Sequence, residues 1–165
     1  MKNNNSVIFA VVNRNGKALL VNGNTKQYTE FNYSNSSKAS LVAIAKLLDR
    51  VADSDKYDTV TIIVPKNLAF MLRRESVYNW LNNSNTTKAG NKLDDEFITL
   101  CKYISDMRNY LGNRVKVKMT GTSIVSVVEE QLMSQAWKQL DKITGREIVS
   151  VSKAKPVLPQ MNSNN

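Results

Sequence analysis

The stretch 60–64, Val-Thr-Ile-Ile-Val, is a continuous β-branched run with a helical pattern on either side, and no other feature narrows the fold more. A run of this kind is at home where both of its faces are buried, in a sheet covered by helices on two sides and reached by a helical crossover. Pro65 ends it, since proline cannot donate to a sheet ladder.

The residues N-terminal to this run read mainly as antiparallel strands. Residues 7–12 are apolar and strand-like, Asn13-Arg14-Asn15-Gly16 is a turn, and 17–21 returns as the second arm of a hairpin. Asn22-Gly23-Asn24 is a further turn, and 26–33 alternates Gln27, Thr29, Phe31 and Tyr33 against Lys26, Tyr28, Glu30 and Asn32, as an edge strand does. The serines and asparagine of 34–37 offer helix caps, after which Ala39, Leu41, Val42, Ala45, Leu48 and Val51 recur at helical spacing to about Ala52.

The C-terminal part of the chain reads as helical but for one strand. Residues 67–81 suit one or two short helices carrying Arg73, Arg74, Tyr78 and Trp80, and a polar loop leads to a longer helix. Leu93, Phe97, Leu100, Ile104 and Leu111 mark one face of that helix, Asp94, Asp95 and Glu96 sit favourably in its first turn, and Gly112 closes it. Residues 114–119 alternate Val115, Val117 and Met119 with Arg114, Lys116 and Lys118, so the strand has one apolar and one basic face. A last helix is expected over 123–143, with a Ser126–Glu129 capping-box pattern and Met133 and Trp137 as core or interface residues. The predicted order is β-β-β-α-β-α-α-β-α in a single domain, 1–146, with a loose tail at 147–165.

Composition restricts the chemistry. With 165 residues, 42% hydrophobic and 22% charged, the chain suits one globular domain. No run of about eighteen apolar residues and no signal peptide is apparent, which predicts a soluble, cytoplasmic protein without membrane contact. Cys101 stands alone and reads as a packed small hydrophobe. The absence of histidine removes Ser-His-Asp and Cys-His nucleophile systems and histidine-based zinc sites. The balance of 23 Lys and Arg against 14 Asp and Glu, +9 overall, favours an anionic partner such as nucleic acid, although a plainly solvated positive surface gives the same count.

Four stretches in fixed order carry a resemblance. They are Ser36-Ser37-Lys38-Ala39-Ser40-Leu41-Val42-Ala43, Thr61-Ile62-Ile63-Val64-Pro65-Lys66-Asn67-Leu68, residues 77–81 through Lys92-Leu93-Asp94, and Val115-Lys116-Val117-Lys118-Met119-Thr120-Gly121. With the element order, they resemble type 1 ribonuclease H over roughly residues 6–143. The resemblance implies an α/β fold, a ribonuclease-H-like five-stranded mixed sheet in which an antiparallel meander is extended by parallel strands, with helices on both faces.

That family cleaves the RNA strand of a hybrid with two magnesium ions held by four carboxylates. Here the family's first-strand aspartate position falls at Ala10 or Val11, its first-helix glutamate at Ser40 and its fourth-strand aspartate at Pro65. Only Glu129 and Glu130 lie near the last-helix position. The departures imply a protein without catalysis, metal or cofactor that binds nucleic acid, duplex or hybrid, through backbone and shape. Arg73, Arg74, Trp80, Lys88 and Lys92 match the family's substrate-handling region, and Lys38 and Lys66 flank two lost acidic positions. Arg114, Lys116 and Lys118 would add a basic strip. Two other readings stay open: a protein-interaction module docking on a polymerase or other nucleic-acid machine, and a residual metal nuclease using Glu129 or Glu130. Asparagine-rich ends, NNN and NSNN, fit an AT-rich coding genome and hence a phage protein acting on host nucleic-acid metabolism.

Overall fold

The computed structural model describes residues 5–54, 56–68 and 70–144, so the expected tail at 147–165 lies outside the described residues. β1 (Ser6–Arg14) and β2 (Lys17–Asn22) form the opening hairpin. Its two turn residues, Asn15 and Gly16, both take positive φ, at 52° and 79°, the pairing that matches strand twist in a two-residue turn. A Cβ on Gly16 would stand 2.5 Å from the Tyr33 carbonyl oxygen, so glycine also permits the close approach of the next loop.

β3 (Tyr28–Asn32) is shorter than the expected 26–33. The reason is local: the Lys26 N–H donates to the Asn22 carbonyl at 2.7 Å and Lys26 has φ 66°, so it closes the turn instead of entering the strand.

α1 (Ser36–Ala52) is capped by Asn35, whose side chain accepts the Lys38 N–H at 2.9 Å. It crosses over to β4 (Thr59–Val64), which lies parallel to β1 with Ala10 opposite Ile63. Two short 3-10 turns, Lys66–Leu68 and Phe70–Leu72, precede α2 (Arg74–Asn82). α3 (Asp95–Leu111) begins after Asp94, which accepts the Phe97 N–H and so fixes the start beyond Leu93. β5 (Val115–Met119) lies parallel to β4, and the strand order is β3-β2-β1-β4-β5.

α4 (Val127–Thr144) starts four residues later than the expected 123. The capping box sets that start: Ser126 Oγ accepts the Glu129 N–H at 3.1 Å while Glu129 Oε1 accepts the Ser126 N–H at 2.8 Å.

The central strands β1, β2 and β4 are buried on both faces. Val7, Phe9 and Val11 of β1 pack with Leu41, Ile44, Ile62 and Ile104 on the α1 and α3 side. Ala10 and Val12 pack with Leu19, Ile63, Leu132, Met133 and Leu140 on the α4 side. Each fully buried branched side chain contributes about 1.5–3 kcal/mol, and the β-branched run of β4 feeds both cores at once. Met133 is core as expected, and Trp137 is half-buried with the Arg14 guanidinium stacked on its ring.

Candidate nucleic-acid interface

The C-terminal ends of β1 and β4 and the second turn of α1 converge on a polar cluster. Asn13, 6% exposed, donates from Nδ2 to Ser40 Oγ at 2.8 Å and accepts from Asn67 Nδ2 on Oδ1 at 3.3 Å. Ser40 is fully buried. The two buried side chains, Asn13 and Ser40, are bonded to each other without charge, as a desolvated position favours, while Asn67 reaches Asn13 from the exposed side. Ala10 faces the α4 core and Val11 the α1 core, so the side chain that meets Ser40 is Asn13, two or three residues beyond the positions the resemblance suggests. The sequence carries a signal for it: Asn13 shares strand parity with Val7, Phe9 and Val11, which puts a polar group on the inward face.

On the α4 side of the same sheet end, Lys118 Nζ lies 3.2 Å from both carboxylate oxygens of Glu129. Burial alone would raise the Glu129 carboxyl, but the Ser126 N–H and the Lys118 ammonium outweigh it and hold it below the ordinary carboxylate value. Glu130 accepts from Thr120 Oγ1 and the Gly121 N–H, each at 2.6 Å, and these bonds lower its pKa. Among the described residues no group of three or more Asp, Glu or Cys is placed to hold a metal ion. Lys66 reaches over Gly121: a Cβ there would stand 3.4 Å from Lys66 Cε, a position that glycine leaves open.

The cations singled out from sequence divide into two sets. Lys38 pairs with Asp94 at 2.7 Å and Glu96 at 3.0 Å, bonds that raise its pKa and join α1 to the start of α3. Arg74 donates to Ser105 Oγ and Asp106 at 3.1 Å each and stacks on Tyr78. Arg114 lies outside β5, and its guanidinium donates to the carbonyls of Val51, Ser54 and Tyr57, all at 3.1 Å, tying the end of α1 to the start of β5. Lys118 is held by Glu129. Trp80 is 8% exposed and packs on Phe97.

Lys66, Arg73, Lys88, Lys92 and Lys116 form the second set. All five are exposed, and their side chains make no ion pair or hydrogen bond among the described residues. The basic strip expected on β5 therefore reduces to Lys116, which α4 leaves uncovered because that helix packs on β1 and β2.

No protein-family profile and no curated protein sequence matches the chain. Among solved structures it is similar to the foamy viral protease-reverse transcriptase in complex with RNA/DNA hybrid, with a TM-score of 0.53 and 14% identity over 81% of this chain. It is likewise similar to that protein in complex with dsDNA, with a TM-score of 0.51 and 13% identity over 82% of this chain. The match spans 19% of the chain in the first structure and 92% of the chain in the second. At this identity the likeness is one of fold: the five-stranded mixed sheet in the order 3-2-1-4-5, with helices on both faces, is a ribonuclease-H-like α/β fold.

Proposed function

We propose that this chain is a non-catalytic nucleic-acid-binding protein on a ribonuclease-H-like scaffold, gripping the phosphate backbone of a duplex or hybrid and reading shape more than sequence. The observation that carries the reading is the neutral cluster Asn13–Ser40–Asn67 at the sheet end, where the resemblance calls for carboxylates. Two divalent ions need several anionic oxygens to hold them and to offset their charge. Amide and hydroxyl groups already bonded to one another, and a Glu129 on the α4 side already neutralised by Lys118, do not fit that demand. A partner of nucleic acid is supported by the net charge, by the unpaired cations Lys66, Arg73, Lys88, Lys92 and Lys116, and by the hybrid and dsDNA complexes of the similar structure. The phage reading adds only the asparagine-rich composition to this support.

One observation favours a protein partner as the second reading. Ile124, Val127 and Val128 are 63%, 74% and 64% exposed around the start of α4, an aliphatic patch close together in sequence. Anisotropy titration of labelled duplex DNA, duplex RNA, hybrid and single strands separates the two, run with a magnesium cleavage gel. If all five unpaired cations touch phosphate, affinity falls by about 500-fold between about 50 and 200 mM salt, with the probe intact. No binding at low salt moves the assignment to a protein partner. Magnesium-dependent cleavage lost on changing Glu129 and Glu130 together restores the nuclease reading.

A further inference from the structure

A groove of about 590 Å³ runs along the β5 side of the sheet, within the size range of small-molecule sites at about 300–1,000 Å³. Its apolar floor is made by Val117 and Met119, with the buried Val64 beneath them, and its lining includes Arg73, Arg74 and Arg108. The floor exists because β5 pairs only with β4 and is the last strand of the sheet, so Val117 and Met119 on its apolar face are half-covered. The charged residues of the lining are three arginines and a single acid, Glu75. Arg74 already has Asp106 beside it, and Arg73 has no side-chain partner among the described residues.

Arg108 is the informative member. It is half-buried and donates to the Leu72 carbonyl at 2.8 Å, yet no carboxylate partners it among the described residues. A guanidinium brought partly out of water beside a neutral oxygen retains unmatched positive charge, which an entering anion would offset. Burial accordingly lowers its pKa from the ordinary arginine value. The forked donors of arginine match the oxygens of a phosphate, and branched aliphatics with a thioether match the face of a flat ring.

We infer that this groove binds a nucleoside phosphate, its base on Val117 and Met119 and its phosphate on Arg73 and Arg108. The ligand is a free nucleotide or an unpaired nucleotide of a strand; the chemistry is the same. The inference shares Arg73 with the backbone-binding reading but does not rest on it, since it needs neither the polar cluster nor the lysines.

The test is calorimetric titration of the full chain with adenosine 5′-monophosphate, adenosine and inorganic phosphate, with methyl NMR of Val117 and Met119 as a second readout. The monophosphate is expected to bind at least tenfold more tightly than either fragment and to shift both methyl signals. Arg108→Gln and Val117→Trp, each checked for an unchanged melting transition, should weaken it at least tenfold while duplex affinity changes less than twofold. Glu75→Gln should tighten it. A three-nucleotide overhang that raises duplex affinity in a Val117-dependent way identifies a strand as the source, and monophosphate binding with no overhang gain identifies a free nucleotide. Equal affinity for inorganic phosphate, unshifted methyl signals, or tighter binding of an oligo-glutamate peptide overturns the assignment. Loss of duplex binding alone would overturn the backbone reading and leave this one standing.

Discussion

Asp106 gathers three donors, the Lys102 ammonium at 2.8 Å, the Tyr78 hydroxyl and the Arg74 guanidinium. The Lys102 bond first and the Tyr78 bond second hold its carboxyl down to about 2, against 3.8 for an ordinary aspartate. A carboxyl depressed in the folded state stabilises fully above its unfolded pKa, and the contribution disappears as pH falls through the folded value. Asp106→Asn should therefore lower stability at pH 7 by a margin that shrinks between about pH 4 and pH 2. Because the side chain stays 39% exposed, solvent screening keeps that margin to about 1 kcal/mol. Urea unfolding of both proteins across this range measures it, and a pH-independent difference would assign Asp106 a packing role instead. Other side chains are placed by contacts that no local pattern encodes. Arg114 alternates with Lys116 and Lys118 in the sequence and looks like a member of one basic face, but its guanidinium is used on three carbonyls some sixty residues upstream. The Lys118–Glu129 pair is equally hidden, since α4 must be docked before the two side chains can meet. Asn13 and Arg14, expected in the turn, instead continue β1, and once the strand is seen to run that far parity alone places Asn13 on the inward face.

Among the elements, periodicity fixed existence and type while capping chemistry fixed the ends. The β-branched run at 60–64 predicted a doubly covered strand, and β4 feeds both cores. Apolar spacing could not locate the starts of α3 and α4, because Leu93 and the residues at 123–126 suit a helix as well as a turn until Asp94 and Ser126 claim the first N–H groups. α2 is the exception that yields a prediction: its N-cap is Arg73, which makes no side-chain capping bond. Serine there supplies the missing acceptor, so Arg73→Ser should raise stability by about 0.5–1 kcal/mol. The same change removes an unpaired cation and should weaken duplex binding. Chemical denaturation and anisotropy on one sample report both effects. Opposite signs indicate that α2 carries a stability cost for a charge used in binding, and a loss in both would show that Arg73 supports the fold.

At the level of the molecule, the positive charge is partly structural, and the salt response separates the two kinds of cation. Lys38, Arg74, Arg114 and Lys118 join elements to one another, so their charge is already compensated or spent on carbonyls. Lys66, Arg73, Lys88, Lys92 and Lys116 leave theirs facing solvent. Counterions condensed on a nucleic acid are released only by cations that reach phosphate, and each such contact adds about 0.9 to the salt slope. Lys66→Ala and Lys92→Ala should each flatten the slope by about 1 while leaving the melting transition in place. Arg114→Gln should do the reverse, lowering the melting temperature through three lost carbonyl bonds with the slope unchanged. Affinity at a single salt concentration cannot distinguish these cases, because a partly unfolded variant also binds less. The paired measurement can: a flattened slope for Arg114→Gln, or an unaltered slope for both lysine variants, would show that the division into structural and phosphate-facing cations is drawn in the wrong place.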